Sequence, residues 1–262
     1  MSDEDTPIAV ITGAARGIGA ATAFRLARDG WSLLLVDACR PQPPIPYGMP
    51  APADLEAVAD ECLRQGAAGV RTRLADVADP RLPDLIRGTL AGRTPTAAIA
   101  VAGLIHGADA WATSDDAWDV LLNVNLHGTR RLAEAVVPSM IAAGAGRFVA
   151  VASAAGLRGM QKLGAYSAAK AAVIGYVRAL AADLAGTGVT ANAVCPGSTR
   201  GSMLQASAAV YGLPDQERFA EQQLARRLLE PAEIAEAINW LCSPAGSGCT
   251  GAILPVDGGL TT

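Results

Sequence analysis

Short runs of apolar residues alternate along the chain with longer stretches in which apolar residues recur at helical spacing. The runs with the length of strands cover 8–11, 32–36, 70–75, 97–102, 147–152, 189–194 and 252–256. The stretches with helical spacing cover 17–28, 54–66, 80–91, 115–143, 164–185 and 231–242. Continuous apolar runs are typical of strands that are buried on both faces, and strand–helix alternation with short connections produces a parallel sheet. The pattern therefore predicts the α/β class: a doubly wound, seven-stranded parallel sheet with helices on both faces.

Two segments interrupt the alternation. Residues 38–53 contain six prolines, which exclude a helix or a central strand. We interpret these residues as a proline-rich insertion after the second strand. The alternative is a surface insertion that has no function. Residues 198–227 are long for a connection, which favours a substrate loop. A single domain is expected to span residues 1–262, with residues 1–6 as a flexible tail.

Composition and charge narrow the functional classes. The chain has 262 residues, of which 51% are hydrophobic, so it can bury a core and is not disordered. Its net charge of −4 argues against a nucleic-acid partner. The five cysteines lack zinc-site spacing, so no metal is predicted, and free thiols indicate a reducing cytoplasm. Neither a membrane-spanning run nor a basic signal-peptide start is present, which again favours a cytoplasmic protein without a membrane partner.

A glycine-rich turn leaves the first predicted strand and opens the first predicted helix. Small residues there let the backbone approach a pyrophosphate at the helix N-terminus, as in a Rossmann-like fold. The residues of this turn that we predict to bind a dinucleotide are Gly13, Arg16, Gly17, Ile18 and Gly19.

The end of the second strand predicts which dinucleotide is bound. Asp37 lies 18 residues after Gly19, close to the usual spacing for a carboxylate that binds the adenosine ribose hydroxyls. It would repel a 2′-phosphate, so NAD is favoured over NADP. Arg16 is the opposing signal, because a basic residue beside the glycines can bind that phosphate.

Two later strand ends add candidate nucleotide contacts. Asp76 and Val77 follow the third strand, where the adenine amino group is expected; a helix N-cap is the alternative for the aspartate. Ala102 and Gly103 end the fourth strand and would let the cofactor pass close to the backbone.

Four polar residues form a candidate catalytic group. Tyr166 and Lys170 are one helical turn apart, so they share a face, and the ammonium is expected to lower the pKa of the phenol. Ser153 follows the fifth strand, at the sheet edge where ligands bind. Asn125 is a polar residue in an amphipathic helix and needs partners there; kinking the helix and holding a water near Lys170 would explain it.

With these residues in this order, the chain resembles the short-chain dehydrogenase/reductase family over essentially its full length. The residues that carry the resemblance are Thr12, Gly13, Gly17, Ile18, Gly19, Asp37, Asp76, Ala102, Gly103, Asn125, Ser153, Tyr166, Lys170, Pro196 and Gly197. Two positions depart from the family pattern. Val101 stands where the family often has an asparagine with structural hydrogen bonds, and Gly201 stands where a threonine near the cofactor carboxamide is common.

The resemblance implies reversible hydride transfer between an alcohol carbon and a nicotinamide. Tyr166 would be the general acid/base, Ser153 would orient the carbonyl, and Asn125 would support a proton-relay water. Lys170 would lower the pKa of the tyrosine and bind the nicotinamide ribose. The remaining cofactor contacts that it implies are Tyr166, Pro196, Gly197 and Thr199. It also implies a homotetramer, built through the helices predicted at 115–143 and 164–185.

A narrower resemblance is to the mycofactocin-associated branch of that family. It rests on residues 37–40, the proline-rich insertion, residues 195–200 and residues 254–259. It implies that NAD is held tightly under the insertion and is recycled in place by a peptide-derived redox carrier, mycofactocin. The alternatives are an ordinary exchangeable NAD alcohol dehydrogenase, an NADPH-dependent 3-oxoacyl-carrier-type ketoreductase, and a nucleotide-sensing module without chemistry, which the presence of Tyr166 and Lys170 opposes.

The substrate is expected to be a small hydrophobic alcohol or ketone. This expectation rests on apolar residues near the predicted site, namely Leu104, Leu157, Met160, Leu163, Met203 and Leu204.

Overall fold

The computed structural model describes residues 6–262. Seven parallel strands form one sheet in the order β3-β2-β1-β4-β5-β6-β7. The strands are β1 (Ile8–Thr12), β2 (Ser32–Asp37), β3 (Gly69–Leu74), β4 (Ala97–Ala100), β5 (Gly146–Val151), β6 (Val189–Pro196) and β7 (Ile253–Val256). The predicted doubly wound sheet is therefore confirmed. Because the strand order reverses between β1 and β4, a crevice opens at their carboxyl ends.

Helices cover both faces of the sheet. They are α1 (Gly17–Arg28), α2 (Pro52–Arg64), α3 (Leu82–Leu90), α4 (Asp115–Leu121), α5 (Gly128–Ala142), α6 (Gly164–Asp183), α7 (Ser202–Val210) and α8 (Pro231–Cys242). Successive strand residues serve opposite faces: Val10 joins the core under α3, α5 and α6, while Ala9 and Ile11 join the core under α1, α2 and α8. Within residues 6–262, no helix has the length and apolar character to cross a bilayer.

Two predicted segments have more structure than expected. The helix predicted at 115–143 is interrupted by a π-helical turn at Leu122–His127, which contains Asn125. The predicted loop at 198–227 contains α7 and a 3-10 segment, Gln216–Gln222. Such a short helix between two glycines gives too brief a periodic pattern to stand out in the sequence. Other boundaries differ by a few residues.

The proline-rich insertion folds back onto the protein. Ile45 is buried in the core, and Tyr47 and Met49 pack against it. The insertion ends slightly earlier than predicted, because α2 already begins at Pro52. Proline is well suited to the first position of a helix, where the backbone N–H that it lacks would have no partner within the helix. The predicted tail lies outside the described residues except for Thr6.

Candidate active site

One cavity lies at the carboxyl ends of the strands. Fifteen predicted site residues line it: Gly13, Arg16, Gly17, Ile18, Asp37, Asp76, Val77, Ala102, Gly103, Ser153, Tyr166, Lys170, Pro196, Gly197 and Thr199. The other two, Gly19 and Asn125, are not among its lining residues. The sheet topology thus brings together residues that are almost 200 positions apart in the chain.

The glycine-rich turn is packed too tightly for side chains. Gly13 has a φ of +70°, and a Cβ there would lie 2.6 Å from the Cα of Ala102. Gly19 packs beneath the turn, where a Cβ would collide with the carbonyl oxygen of Gly13. Gly17 has open space beside its Cα and faces the cavity at the start of α1. The turn therefore offers bare backbone and a helix N-terminus, which fit a pyrophosphate.

Asp37 is held at the rim of the cavity by two backbone donors. The amide of Ala15 donates to its Oδ2 and the amide of Cys39 to its Oδ1, each at 3.1 Å. The carboxylate is therefore fixed between the glycine-rich turn and the insertion. It lies where the adenosine ribose of a dinucleotide on this turn is expected.

Arg16 points to the insertion. Its Nη1 donates to the carbonyl oxygen of Gly48 at 2.7 Å, and its Nη2 contacts the Sδ of Met49 at 3.4 Å. The guanidinium also lies over the ring of Tyr47, 5.9 Å from the ring centroid. These three contacts fix the arginine as a tie between the turn and the insertion.

Asp76 is also joined to the insertion. Its Oδ2 accepts hydrogen bonds from Arg40 at 2.6 Å and Gln42 at 2.8 Å, and its Oδ1 accepts one from the amide of Ala78 at 2.8 Å. Burial raises the pKa of this carboxyl, but the three hydrogen bonds together hold it below its usual value. The N-cap alternative is wrong, because α3 begins only at Leu82.

Ser153 and Tyr166 meet at the inner end of the cavity. Ser153 directly follows β5 and Ala152, and its Oγ accepts the amide of Ala155 at 3.1 Å. Tyr166 lies in the first turn of α6, is 6% exposed and lines the same cavity as Ser153. Burial raises the pKa of Tyr166 to about 12, although the side chain of Ser153 acts to lower it.

Lys170 is one turn further along α6 and is 3% exposed. Its Nζ donates to the carbonyl oxygen of Val151 at 2.8 Å and lies 5.8 Å from the ring centroid of Tyr166. Burial lowers the pKa of Lys170 to about 8. The lowering of the Tyr166 pKa by Lys170 stays a prediction, since burial is the largest influence on the phenol and raises its pKa.

Asn125 lies behind the cavity wall and is fully buried. Its Oδ1 accepts the amide of Leu104 at 3.2 Å, while its Nδ2 donates to the carbonyl oxygens of Leu104 and Leu121. The carboxamide is therefore committed to backbone groups. The predicted helix distortion is present as the π-helical turn, and the relay water stays a prediction.

Beyond Ser153 and Tyr166, the cavity wall is mainly apolar. Five of the six predicted apolar residues line it, whereas Leu157 does not and is 39% exposed. The hydroxyl of Tyr211 donates to the carbonyl oxygen of Gln161 at 2.5 Å, which joins the end of α7 to the segment before Tyr166. Leu260 also lines the cavity.

Sequence reasoning missed two residues that shape the site. Gln223 is buried, and its Oε1 accepts the amide of Ser198 at 2.8 Å, which fixes the turn after Pro196 and Gly197. Tyr47 accepts the amide of Ile105 at 3.1 Å. The only available signal for Tyr47 was its being the sole aromatic residue among the prolines of the insertion.

Comparisons with known proteins agree with this geometry. A family model described as enoyl-(acyl carrier protein) reductase matches residues 55–261. The 2-(S)-hydroxypropyl-CoM dehydrogenase 3 of Xanthobacter autotrophicus is 32% identical over 259 residues, covering 97% of this chain and 96% of that protein. The structure of carveol dehydrogenase from Mycobacterium avium in complex with NAD has a TM-score of 0.92 and 27% identity, with 98% of both chains covered.

A further structural relative carries the other dinucleotide. It is a dehydrogenase structure from Beutenbergia cavernae with NADP bound at low occupancy. Its TM-score is 0.86 at 31% identity, with 97% of this chain and 96% of that chain covered. The family match and the identity over nearly the whole length show that the chain belongs to the short-chain dehydrogenase/reductase family, as an NAD(P)-dependent oxidoreductase that acts on CH–OH groups.

Proposed function

We propose that the protein is an NAD-dependent oxidoreductase that interconverts a secondary alcohol and a ketone, with Tyr166 as the general acid/base. The observation that carries this proposal is that the side chains of Ser153 and Tyr166 line one cavity together with the buried Lys170. Two hydroxyl groups thus lie at the end of a cavity whose other end fits a dinucleotide. A substrate oxygen placed there can be held by one hydroxyl and exchange its proton with the other.

The chain's own residues handle the substrate proton. Bound NAD supplies the nicotinamide carbon that accepts or donates the hydride. In ketone reduction, Ser153 orients the carbonyl and Tyr166 donates its proton to the carbonyl oxygen; alcohol oxidation moves the same proton back. The raised pKa keeps Tyr166 protonated at neutral pH, which suits donation. Lys170 holds a positive charge beside the phenol, which favours the phenolate needed for oxidation.

The substrate end of the cavity favours an uncharged molecule. Arg200 lines the cavity, but it is paired with Glu217 and Glu230. Lys170 donates to a backbone carbonyl. Among the described lining residues, no cation at that end is left to bind a substrate anion. The apolar wall supports a small hydrophobic alcohol or ketone, a proposal in keeping with the likeness to carveol dehydrogenase.

Two residues support NAD over NADP. Asp37 is fixed with its carboxylate at the adenosine end, where it would repel a 2′-phosphate. Arg16, the residue that argued for NADP, is committed to Gly48 and Met49 and lies over Tyr47.

The insertion supports tight retention of the nucleotide. Its residues Arg40 and Gln42 reach across to Asp76, and Arg16 ties its far end to the glycine-rich turn. Both tied ends line the same cavity, so the insertion covers the adenosine side. A nucleotide beneath this cover would be reoxidised in place by a redox carrier of the mycofactocin type.

The proposed homotetramer is supported by the outer face of α6. Ala168, Ala171 and Gly175 are exposed there, and small side chains permit close helix approach.

Replacing the phenol tests the mechanism. In Tyr166→Phe, turnover is expected to fall by about a thousandfold, because proton transfer by a positioned acid is lost. Nucleotide content after purification is expected to stay unchanged. The control is Tyr176→Phe, a half-buried tyrosine on the same helix, which should retain activity. Turnover near the wild-type rate in Tyr166→Phe would contradict the assignment.

The pH dependence follows from the raised pKa of Tyr166. Oxidation requires the unprotonated phenol, so its rate is expected to rise from about pH 7 to about pH 10, whereas reduction should not rise over this range. Lys170→Met should lower the oxidation rate near pH 7, where the ammonium is charged and favours the phenolate, and should change it less above about pH 9, where Lys170 is already neutral. The check is steady-state kinetics in both directions. An oxidation rate independent of pH in the wild-type protein would exclude Tyr166 as the titrating group.

Asp37 is expected to select the cofactor. In Asp37→Ser, the ratio of the NADP to the NAD dissociation constant should fall by about tenfold or more, because the like-charge repulsion is removed. The measurement is fluorescence titration of nucleotide-free protein. Asp60→Ser, an exposed carboxylate change on α2, is the control and should leave the ratio unchanged. If the ratio of dissociation constants is unaltered in the Asp37 variant, Asp37 does not determine the selectivity between NAD and NADP.

Retention is tested by denaturing protein that was purified without added cofactor and identifying the released nucleotide by mass spectrometry. Near-stoichiometric NAD or NADH is expected. An empty protein that binds NAD weakly would instead indicate an exchangeable alcohol dehydrogenase. Release of NADP would overturn the Asp37 argument and favour the biosynthetic ketoreductase.

A further inference from the structure

The loop after β4 has no polar side chain of its own at residues 101–105. It is held by two side chains from elsewhere. The carboxamide of Asn125 binds both backbone groups of Leu104, and the phenol of Tyr47 accepts the amide of Ile105. The side chain of Val101 cannot form a hydrogen bond. The side chains of Asn125 and Tyr47 therefore hold the loop instead.

This loop borders the catalytic group closely. A Cβ on Gly103 would lie 2.9 Å from Oδ1 of Asn125 and 3.3 Å from Nζ of Lys170. A shift of the loop by a few tenths of an ångström therefore changes the space available to the ammonium. The position of residues 103–105 and the geometry of Lys170 are coupled by direct contact.

Tyr47 is itself held firmly in the insertion. Its ring lies under the guanidinium of Arg16, and Ile45, two residues earlier, is buried in the core. Burial raises the pKa of Tyr47, so the phenol is neutral at physiological pH.

We propose that Tyr47 is a positioning residue of the active site: its phenol oxygen, by accepting the Ile105 amide, fixes the loop that Asn125 also holds and that borders Lys170. The insertion thereby supplies a hydrogen bond that Val101 does not. The proposal deepens the function given above and rests on it for its kinetic readout.

The test is Tyr47→Phe, which keeps the ring under Arg16 and removes only the acceptor. Because a buried amide is left without a partner, kcat is expected to fall by about tenfold. The KM for the alcohol and the nucleotide content should stay within about twofold of wild type, since no substrate contact is removed. Tyr176→Phe is the matched control and should leave kcat unchanged. A Tyr47→Phe kcat within about twofold of wild type would refute the proposal.

A double-mutant cycle tests the route of the effect. If Tyr47 acts through the loop that Asn125 also holds, Tyr47→Phe should cost less than about twofold in an Asn125→Ala background. Effects that simply multiply would show that Tyr47 acts on general stability and would overturn the proposal.

Amide hydrogen exchange provides a readout that needs no turnover. Tyr47→Phe should speed exchange in residues 103–107 far more than elsewhere in the chain, while the thermal midpoint falls by only a few degrees. Unchanged exchange there would refute the proposal even if the enzyme proved active as described. If Tyr47→Phe speeds exchange but Tyr166→Phe stays active, the proposed chemistry is refuted. The role of Tyr47 in holding the loop would then still stand.

Discussion

The buried ammonium of Lys170 constrains the whole catalytic end of the molecule. A charge that is 3% exposed needs a polar partner, and the partner is the carbonyl oxygen of Val151 at the last position of β5. This hydrogen bond joins α6 to the end of the strand. Ser153 is two residues beyond the bonded carbonyl, and Tyr166 is one helical turn before the ammonium. The hydrogen bond from Lys170 to Val151 therefore brings Ser153 and Tyr166 to the same cavity.

The end of the cavity beside the glycine-rich turn is built differently. There the glycine-rich turn offers backbone, and the charged side chains are paired with the insertion. Arg16 and Asp76 have opposite charges, and each has its partners in the proline-rich segment. From the sequence alone, Arg16 indicates a phosphate contact and Asp76 an adenine contact. In the structure, both side chains form hydrogen bonds with the insertion. The cavity thus has the buried Lys170 at one end and, at the other, a wall that hydrogen bonds join to the glycine-rich turn and to Asp76.

The sequence predicted the sheet and the grouping of the site, because both depend on local patterns. Apolar runs located the strands, and parallel topology places residues after strand ends, such as Asp37 and Ser153, at one edge. It could not predict the partners of Arg16, since the identity of a partner 32 positions away depends on how the insertion folds. The spacing of Tyr166 and Lys170 predicted that they share one helix face, and both line the cavity from α6. Their pKa values depend on burial, which spacing does not report.

The proline-rich insertion belongs both to the hydrophobic core and to the wall of the cavity. Ile45 belongs to the main core, while neighbouring residues of the same segment line the cavity. This wall of the cavity is therefore not an independent loop, because moving it away would take Ile45 out of the core. Opening of the wall and local unfolding of the core then depend on the same contacts, so a substitution that loosens the packing of Ile45 would also loosen the wall of the cavity.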